Sequence, residues 1–237
     1  MKHTSEDTFH TGLLHGIPIA LGYLAVSFSI GLSAVLKGLS PAGTVLLSAT
    51  NLTSAGQAAG LLIMAAGGTL WETVLSQLVI NLRYALMSIS LSQKLENSMP
   101  LWKRMLIAFG VTDEIYAVAI ARPHAVRLPY FLGLLLLPFL GWSAGTMLGV
   151  CAGNILPTLL TNALGLALYG MFLAIVIPGA RSSRAVAFVC AFAIGFSVMF
   201  AYVPFLSSVT PGLSIIICAV AASLLGAWLF PHKEVQS

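Results

Sequence analysis

Nearly the whole chain is apolar runs of bilayer length, joined by loops too short to form a domain of their own. Eight runs stand out, at about residues 12–36, 41–66, 69–92, 103–121, 128–150, 163–180, 184–205 and 211–230. A transmembrane helix needs about 20 mostly apolar residues, and every run is near that length. Composition agrees, because 58% of the 237 residues are hydrophobic and 8% charged, against roughly 25% charged in soluble chains. The expectation is a single all-α integral membrane domain over residues 1–237. Pro41, Pro123, Pro129, Pro157, Pro178 and Pro211 fall at or near run ends, where a residue that cannot continue a helix belongs.

The opening residues Met1-Lys2-His3-Thr4-Ser5-Glu6-Asp7 lack the basic region and early cleavage site of a signal peptide. The first run is therefore expected to stay in the bilayer. The net charge is +4, but the cations are scattered through loops instead of gathered on one face, which speaks for topology signals and against nucleic acid. Cys151, Cys190 and Cys218 lie inside apolar runs, and His3, His10, His15, His124 and His232 lie near termini or in a loop. Neither set has metal-ligand spacing or predicts a disulfide framework. The chain carries no Gly-rich phosphate loop ending in Lys-Ser/Thr, no haem-attachment motif and no Ser/His/Asp arrangement for hydrolysis. No cofactor and no enzymatic activity are expected, and an ATPase driving this chain would be another polypeptide.

Two runs are interrupted at mid-depth. Ser48-Ala49-Thr50-Asn51-Leu52-Thr53-Ser54-Ala55-Gly56-Gln57 places a polar cluster in the second run, and Gly110-Val111-Thr112-Asp113-Glu114 places two carboxylates in the fourth. Each reads as a helix stop followed by a new start. If all eight runs crossed from an internal N-terminus, Lys37, Lys94, Lys103 and Arg104 would lie outside, against Lys2, Arg122, Arg127, Arg181, Arg184 and Lys233 inside. If the second and fourth enter and leave on one face, every loop and terminal cation except Lys37 becomes cytoplasmic, as the positive-inside rule prefers. The expected architecture is a polytopic helical bundle of about six full spans plus two broken or re-entrant helices entering from opposite faces, with both termini cytoplasmic. Inverted-repeat transporters set opposed broken helices around a midplane site in this way.

Arg83 sits near the middle of the third run, where a charge costs from about 3 kcal/mol to far more and requires a partner. Asp113 and Glu114 are the candidates. At 100° per residue, Glu72, Ser76 and Arg83 fall within about 40° of one another, while Gln77, Asn81, Tyr84 and Ser88 form a face roughly 140° away. This helix is expected to meet protein or water on two sides. The ion pair can fix packing, or act as a gate or substrate-coupled pair. Thr112, Asp113 and Glu114 can serve the positive end of a half-helix, or leave a carboxylate open to a cavity, where it could meet an ammonium group or take up a proton. Thr53, Ser54 and Gly56 open the other half-helix without an acid. Their free N–H groups would suit a carboxylate, and Gly56 allows close backbone approach; alternatively, hydroxyls simply satisfy the break. Together the two starts suggest complementary ends for a zwitterion. Gly141, Gly145, Gly149 and Gly153 recur every fourth residue, a pattern that lets another helix approach closely, within the chain or from a partner subunit.

Three ordered motifs carry a resemblance. They are Gly16-Ile17-Pro18-Ile19-Ala20-Leu21-Gly22-Tyr23 with Ala25-Val26-Ser27-Phe28-Ser29-Ile30-Gly31, then Asn81-Leu82-Arg83-Tyr84 leading into Ser88-Ile89-Ser90-Leu91, then Ala108-Phe109-Gly110-Val111-Thr112-Asp113-Glu114. In these residues the chain resembles the AzlC family, the larger subunit of bacterial branched-chain amino acid exporters. The resemblance implies a permease in the bacterial inner membrane, driven by the proton gradient. It would export leucine, isoleucine, valine or methionine and act with a small AzlD-like membrane partner. Arg83, Asp113 and Glu114 would form its charged centre, with Asn81, Thr53, Ser54 and Gln57 lining it. Tyr84 stands where members often have histidine, and Ser54-Ala55-Gly56-Gln57-Ala58 departs from the usual Ala-Gly-Ala-Ser-Gln-like run. A channel-like permease, or one for other small solutes, is the alternative within transport.

Overall fold

The structure, a computed structural model, describes residues 8–96, 98–157, 170, 173, 176–206 and 208–230. The described elements are helices: α1 (Phe9–Leu36), α2 (Pro41–Thr50), α3 (Ser54–Ala65), α4 (Leu70–Ser92), α5 (Leu101–Phe109), α6 (Asp113–Ile120), α7 (Leu128–Ile155), α8 (Arg184–Tyr202) and α9 (Pro211–Leu229). Residues 176–182 are helical as well. Helices α1, α4, α7, α8 and α9 are long and apolar enough to cross a membrane. Most of the sixth run, 163–180, lies outside the described residues. The second and fourth runs are each two short helices, with breaks at 51–53 and 110–112 as the polar clusters predict.

Local chemistry explains where these helices begin. Thr8, Ser40, Thr112 and Ser183 accept hydrogen bonds from backbone N–H groups three residues on, satisfying donors that a first turn leaves without partners. Thr53 does the same for the Gly56 N–H at 3.2 Å. At the head of α4 the Glu72 N–H donates to Thr69 Oγ1 at 3.2 Å while the Thr69 N–H donates to Glu72 Oε2 at 3.0 Å, a reciprocal capping box.

The chain forms two compact units, Met1–Gln57 with Asn81–Ala167, and Ala58–Ile80 with Leu168–Ser237. The first is organised by α1 and α7. Gly12 packs on Tyr130, Gly16 on Leu134, Gly141 on Ala20, Gly145 on Leu24, Gly149 on Phe28 and Gly153 on Val35. Both sequences advance together, so the two helices run parallel. Their backbones approach closely because glycine removes the side chain between them: a Cβ on Gly141 would lie 2.6 Å from the Ala20 carbonyl oxygen, and one on Gly145 or Gly149 would run into the carbonyls of Leu24 or Phe28. The four-residue glycine repeat is thus internal packing. Around this pair Leu21, Leu46, Leu86 and Met147 turn outward exposed, as lipid-facing residues do.

The α5–α6 segment leaves α4 and comes back to it. The Lys94 ammonium donates to the Ile120 carbonyl at 2.5 Å, and the Val126 N–H donates to the Lys94 carbonyl at 2.8 Å. Arg104 ties the foot of α5 to the same place through the Met99 and Ser92 carbonyls at 3.1 and 3.4 Å. The start of α5 and the end of α6 therefore lie on one face. With 9 and 8 residues, each half reaches only about 13 Å, under half of a 30 Å hydrocarbon core. This is a re-entrant hairpin. Helix α4 ends, and α7 begins, on that face; α1, parallel to α7, begins there too.

In the second unit α8 and α9 pack antiparallel, with Gly226 against Val189 and the Phe188 and Phe230 rings 5.8 Å apart. The Thr210 hydroxyl donates to Glu72 Oε1, and Gly212 packs on the Glu72 stem and Ile63. Leu78, Ile194 and Leu224 are exposed outward.

Candidate substrate site

The acidic half-helix start is held from two sides. Asp113 and Glu114 are neighbours at the head of α6, so their side chains leave the axis about 100° apart and meet different helices. Asp113 Oδ2 forms an ion pair with Arg83 Nη2 at 2.8 Å, which answers which acid partners the arginine. The Arg83 guanidinium also lies 5.1 Å from the Tyr84 ring centroid, within cation–π range. Glu114 Oε2 instead accepts from the Tyr23 hydroxyl of α1 at 2.6 Å, and Thr112 Oγ1 lies 2.6 Å from the same hydroxyl. Tyr23 is buried, whereas the Arg83 and Asp113 side chains are 51% and 38% exposed. Glu114 is tied to the core through the Tyr23 hydroxyl although it is itself exposed, and Asp113 is half-buried in its pair with Arg83.

Below the Arg83 pair α6 continues beside α4, through Ser90 and Tyr116 hydroxyls 2.9 Å apart and then Lys94 on Ile120. Helix α6 thus runs parallel to the second half of α4 and opens at mid-depth, level with Tyr23 in the centre of α1.

The second break is neutral. Gln57 Nε2 donates to Ser48 Oγ at 2.5 Å, and Ser48 Oγ is 2.7 Å from Thr146 Oγ1 of α7. Thr53 and Gln57 are buried, Gly56 is buried beside them and Ser54 is half-buried. The bonds therefore group Gln57 with Ser48 and Thr146, and Arg83 with Asp113. Asn81 lies half-buried on α4, two residues before Arg83.

Four participants escape a reading of the sequence: Tyr23, Ser48, Trp142 and Thr146. Ser48 belongs to the polar cluster but precedes the helix start. Tyr23 lies within a quoted motif as a lone hydroxyl in an apolar helix. Thr146 stands inside the glycine repeat, which draws attention to packing. Nothing about Trp142 separates it from an ordinary core aromatic until its neighbours are known. Among the described residues no cluster of three or more His, Cys, Asp or Glu could hold a metal ion.

A model of the AzlC protein family matches residues 18–156, a stretch that contains Tyr23, both breaks and the Arg83–Asp113 pair. An uncharacterized membrane protein of Archaeoglobus fulgidus is 32% identical over 224 residues, covering 93% of this chain and 94% of that one. The chain belongs to the AzlC family. The inner membrane protein YgaZ of Escherichia coli is 30% identical over 151 residues, 62% of each chain, and an uncharacterized membrane protein of Helicobacter pylori is 23% identical over 155 residues. No solved structure matches. This AzlC-family chain is a polytopic membrane protein, and its family together with the inner-membrane relative points to a membrane transport role.

Proposed function

We propose that this AzlC-family protein is a secondary transporter subunit that exports branched-chain amino acids, leucine, isoleucine and valine with methionine, across the inner membrane, using the proton gradient and a small AzlD-like membrane partner. The observation that carries the reading is the accessible Arg83–Asp113 pair at the head of a re-entrant half-helix. A charge pair that only fixed packing would be enclosed, whereas one at the tip of a re-entrant segment can exchange partners. A substrate ammonium or a proton on Asp113 competes with Arg83, and that competition couples the two. Glu114 stays with Tyr23 and holds the half-helix start in place. The neutral start of α3, with Thr53, Ser54, Gly56 and Gln57, receives the substrate carboxylate at the positive helix end.

Loop charge orients the chain. Lys94, Lys103, Arg104, Arg122 and Arg127 lie on the face where α4 ends and α7 begins, while Lys37 follows α1 on the other. That bias supports reading the first face as cytoplasmic, and both termini as cytoplasmic with it. Single cysteines replacing Lys37 and Lys94 test it: an impermeant thiol reagent added to whole cells should label the first and spare the second, and labelling of both would reverse the assignment.

The function itself is tested by counterflow of labelled leucine, isoleucine and valine in proteoliposomes, with and without the small partner. Saturable uptake is expected. Uptake in neither preparation would overturn the exporter reading, and non-saturable flux would favour a channel-like permease.

A further inference from the structure

One face of α7 carries Leu135, Phe139, Trp142 and Thr146 in sequence, and each meets a different part of the two breaks. Gly110 packs on Leu135, and the Phe109 and Phe139 rings are 6.5 Å apart, so the tip of the α5–α6 hairpin rests on the first two. Thr146 holds Ser48 at the end of α2. Trp142 lies between the two tips, one helical turn before Thr146, or about 6 Å along the axis. On its flank the Tyr23 ring stands edge-on at 5.4 Å between centroids, and the same Tyr23 bonds Glu114 and Thr112.

Two polar atoms in this region lack a hydrogen-bond partner although they are shut away from solvent. Trp142 is 2% exposed and its indole Nε1 bonds to nothing; Gln57 is 1% exposed and, with its Nε2 on Ser48, its Oε1 bonds to nothing. Each such group costs about 1–3 kcal/mol, and a native structure retains them where something else completes them. One atom is a pure donor and the other an acceptor. Thr146, one helical turn beyond Trp142, and Ser48 join the two residues through two hydrogen bonds. An anionic oxygen would complete the first atom and an N–H group the second.

Resting on the transport reading above, we infer that Trp142 and Gln57 are binding residues for the backbone of an α-amino acid, the indole N–H donating to its carboxylate and the Gln57 amide oxygen accepting from its ammonium. The pair fixes the zwitterion between the two hairpin tips. The side chain of the substrate is then left to the apolar surfaces around the tips. Selection for an amino acid as such resides in Trp142 and Gln57, and neither residue carries the proton.

The test uses the full-length protein in proteoliposomes, with its partner if counterflow requires it. It measures leucine transport together with competition by leucinol, which lacks the carboxylate, and by 4-methylpentanoate, which lacks the amine. Trp142→Phe keeps a ring against Tyr23 and removes only the N–H. It should raise the KM for leucine roughly tenfold or more, the loss expected for a hydrogen bond to a charged group, with Vmax little changed. Leucinol should lose much less affinity than leucine. Gln57→Met, a second and independent variant, should blunt discrimination against 4-methylpentanoate and leave that against leucinol intact. Size-exclusion profiles in detergent identify folded variants. If both folded variants keep the wild-type KM and both analogue ratios, the free atoms hold water and the inference is overturned while the transport reading stands. If the wild type transports no branched-chain amino acid, the transport reading fails and takes this inference with it.

Discussion

The two broken helices solve one problem, stopping a helix at mid-depth, with opposite chemistry. In the α5–α6 hairpin the new start is charged: Thr112 caps it, Asp113 pairs with Arg83 and Glu114 with Tyr23. In the α2–α3 segment the new start is neutral, and a relay of Gln57, Ser48 and Thr146 hydrogen bonds anchors it to α7. Neutral hydroxyl and amide groups can be buried at little cost once bonded, and the Gln57–Ser48–Thr146 relay buries this break against α7. Charges cannot be left in lipid without partners, so the other break draws on α1 and α4 and stays partly accessible. One start is built to hold still and the other to exchange partners.

The sharpest way to break this comparison is Asp113→Asn. It keeps the size of the side chain but removes the counter-ion of Arg83 and the proton acceptor of the proposed coupling, so proton-driven transport should be abolished. Proteoliposome flux at equal protein incorporation measures it, and wild-type flux would reduce Asp113 to a cap. Next in size is Gly145→Val. Because a Cβ there runs into the Leu24 carbonyl and the Ser27 hydroxyl, the α1–α7 packing that carries both breaks must part. Overpacking of this kind costs about 1–3 kcal/mol or more, read as a lower unfolding midpoint in detergent. Gly22→Ala is the matched control, since open space surrounds that position.

Smaller effects separate the two breaks from each other. Tyr23→Phe keeps the ring against Trp142 but deprives Glu114 and Thr112 of a hydroxyl, so transport should fall about tenfold, consistent with losing a charge-assisted bond of about 1.5 kcal/mol. Ser48→Ala unties Gln57 from Thr146 and should lower stability by about 1 kcal/mol while reducing flux least of all. If Ser48→Ala cost more flux than Tyr23→Phe, the division into a rigid and an exchanging break would be wrong.

By itself the sequence determined the apolar runs, the position of both breaks, the caps and the need of Arg83 for an acid. These are local properties, settled by hydropathy over about 20 residues and by side chains bonding a backbone N–H within one turn. The charge pattern of the loops also indicated a hairpin at α5–α6, because insertion responds to loops one at a time. Tertiary structure alone decided that Asp113 and not its neighbour Glu114 meets Arg83, that Tyr23 takes the other acid, that the glycine repeat of α7 serves α1, and that Trp142 lies between the two tips. Adjacent residues on a helix point about 100° apart, and the helix each one faces depends on parallel packing between segments more than 100 residues apart in sequence. No local pattern encodes that adjacency, because it is set by how closely two backbones can approach.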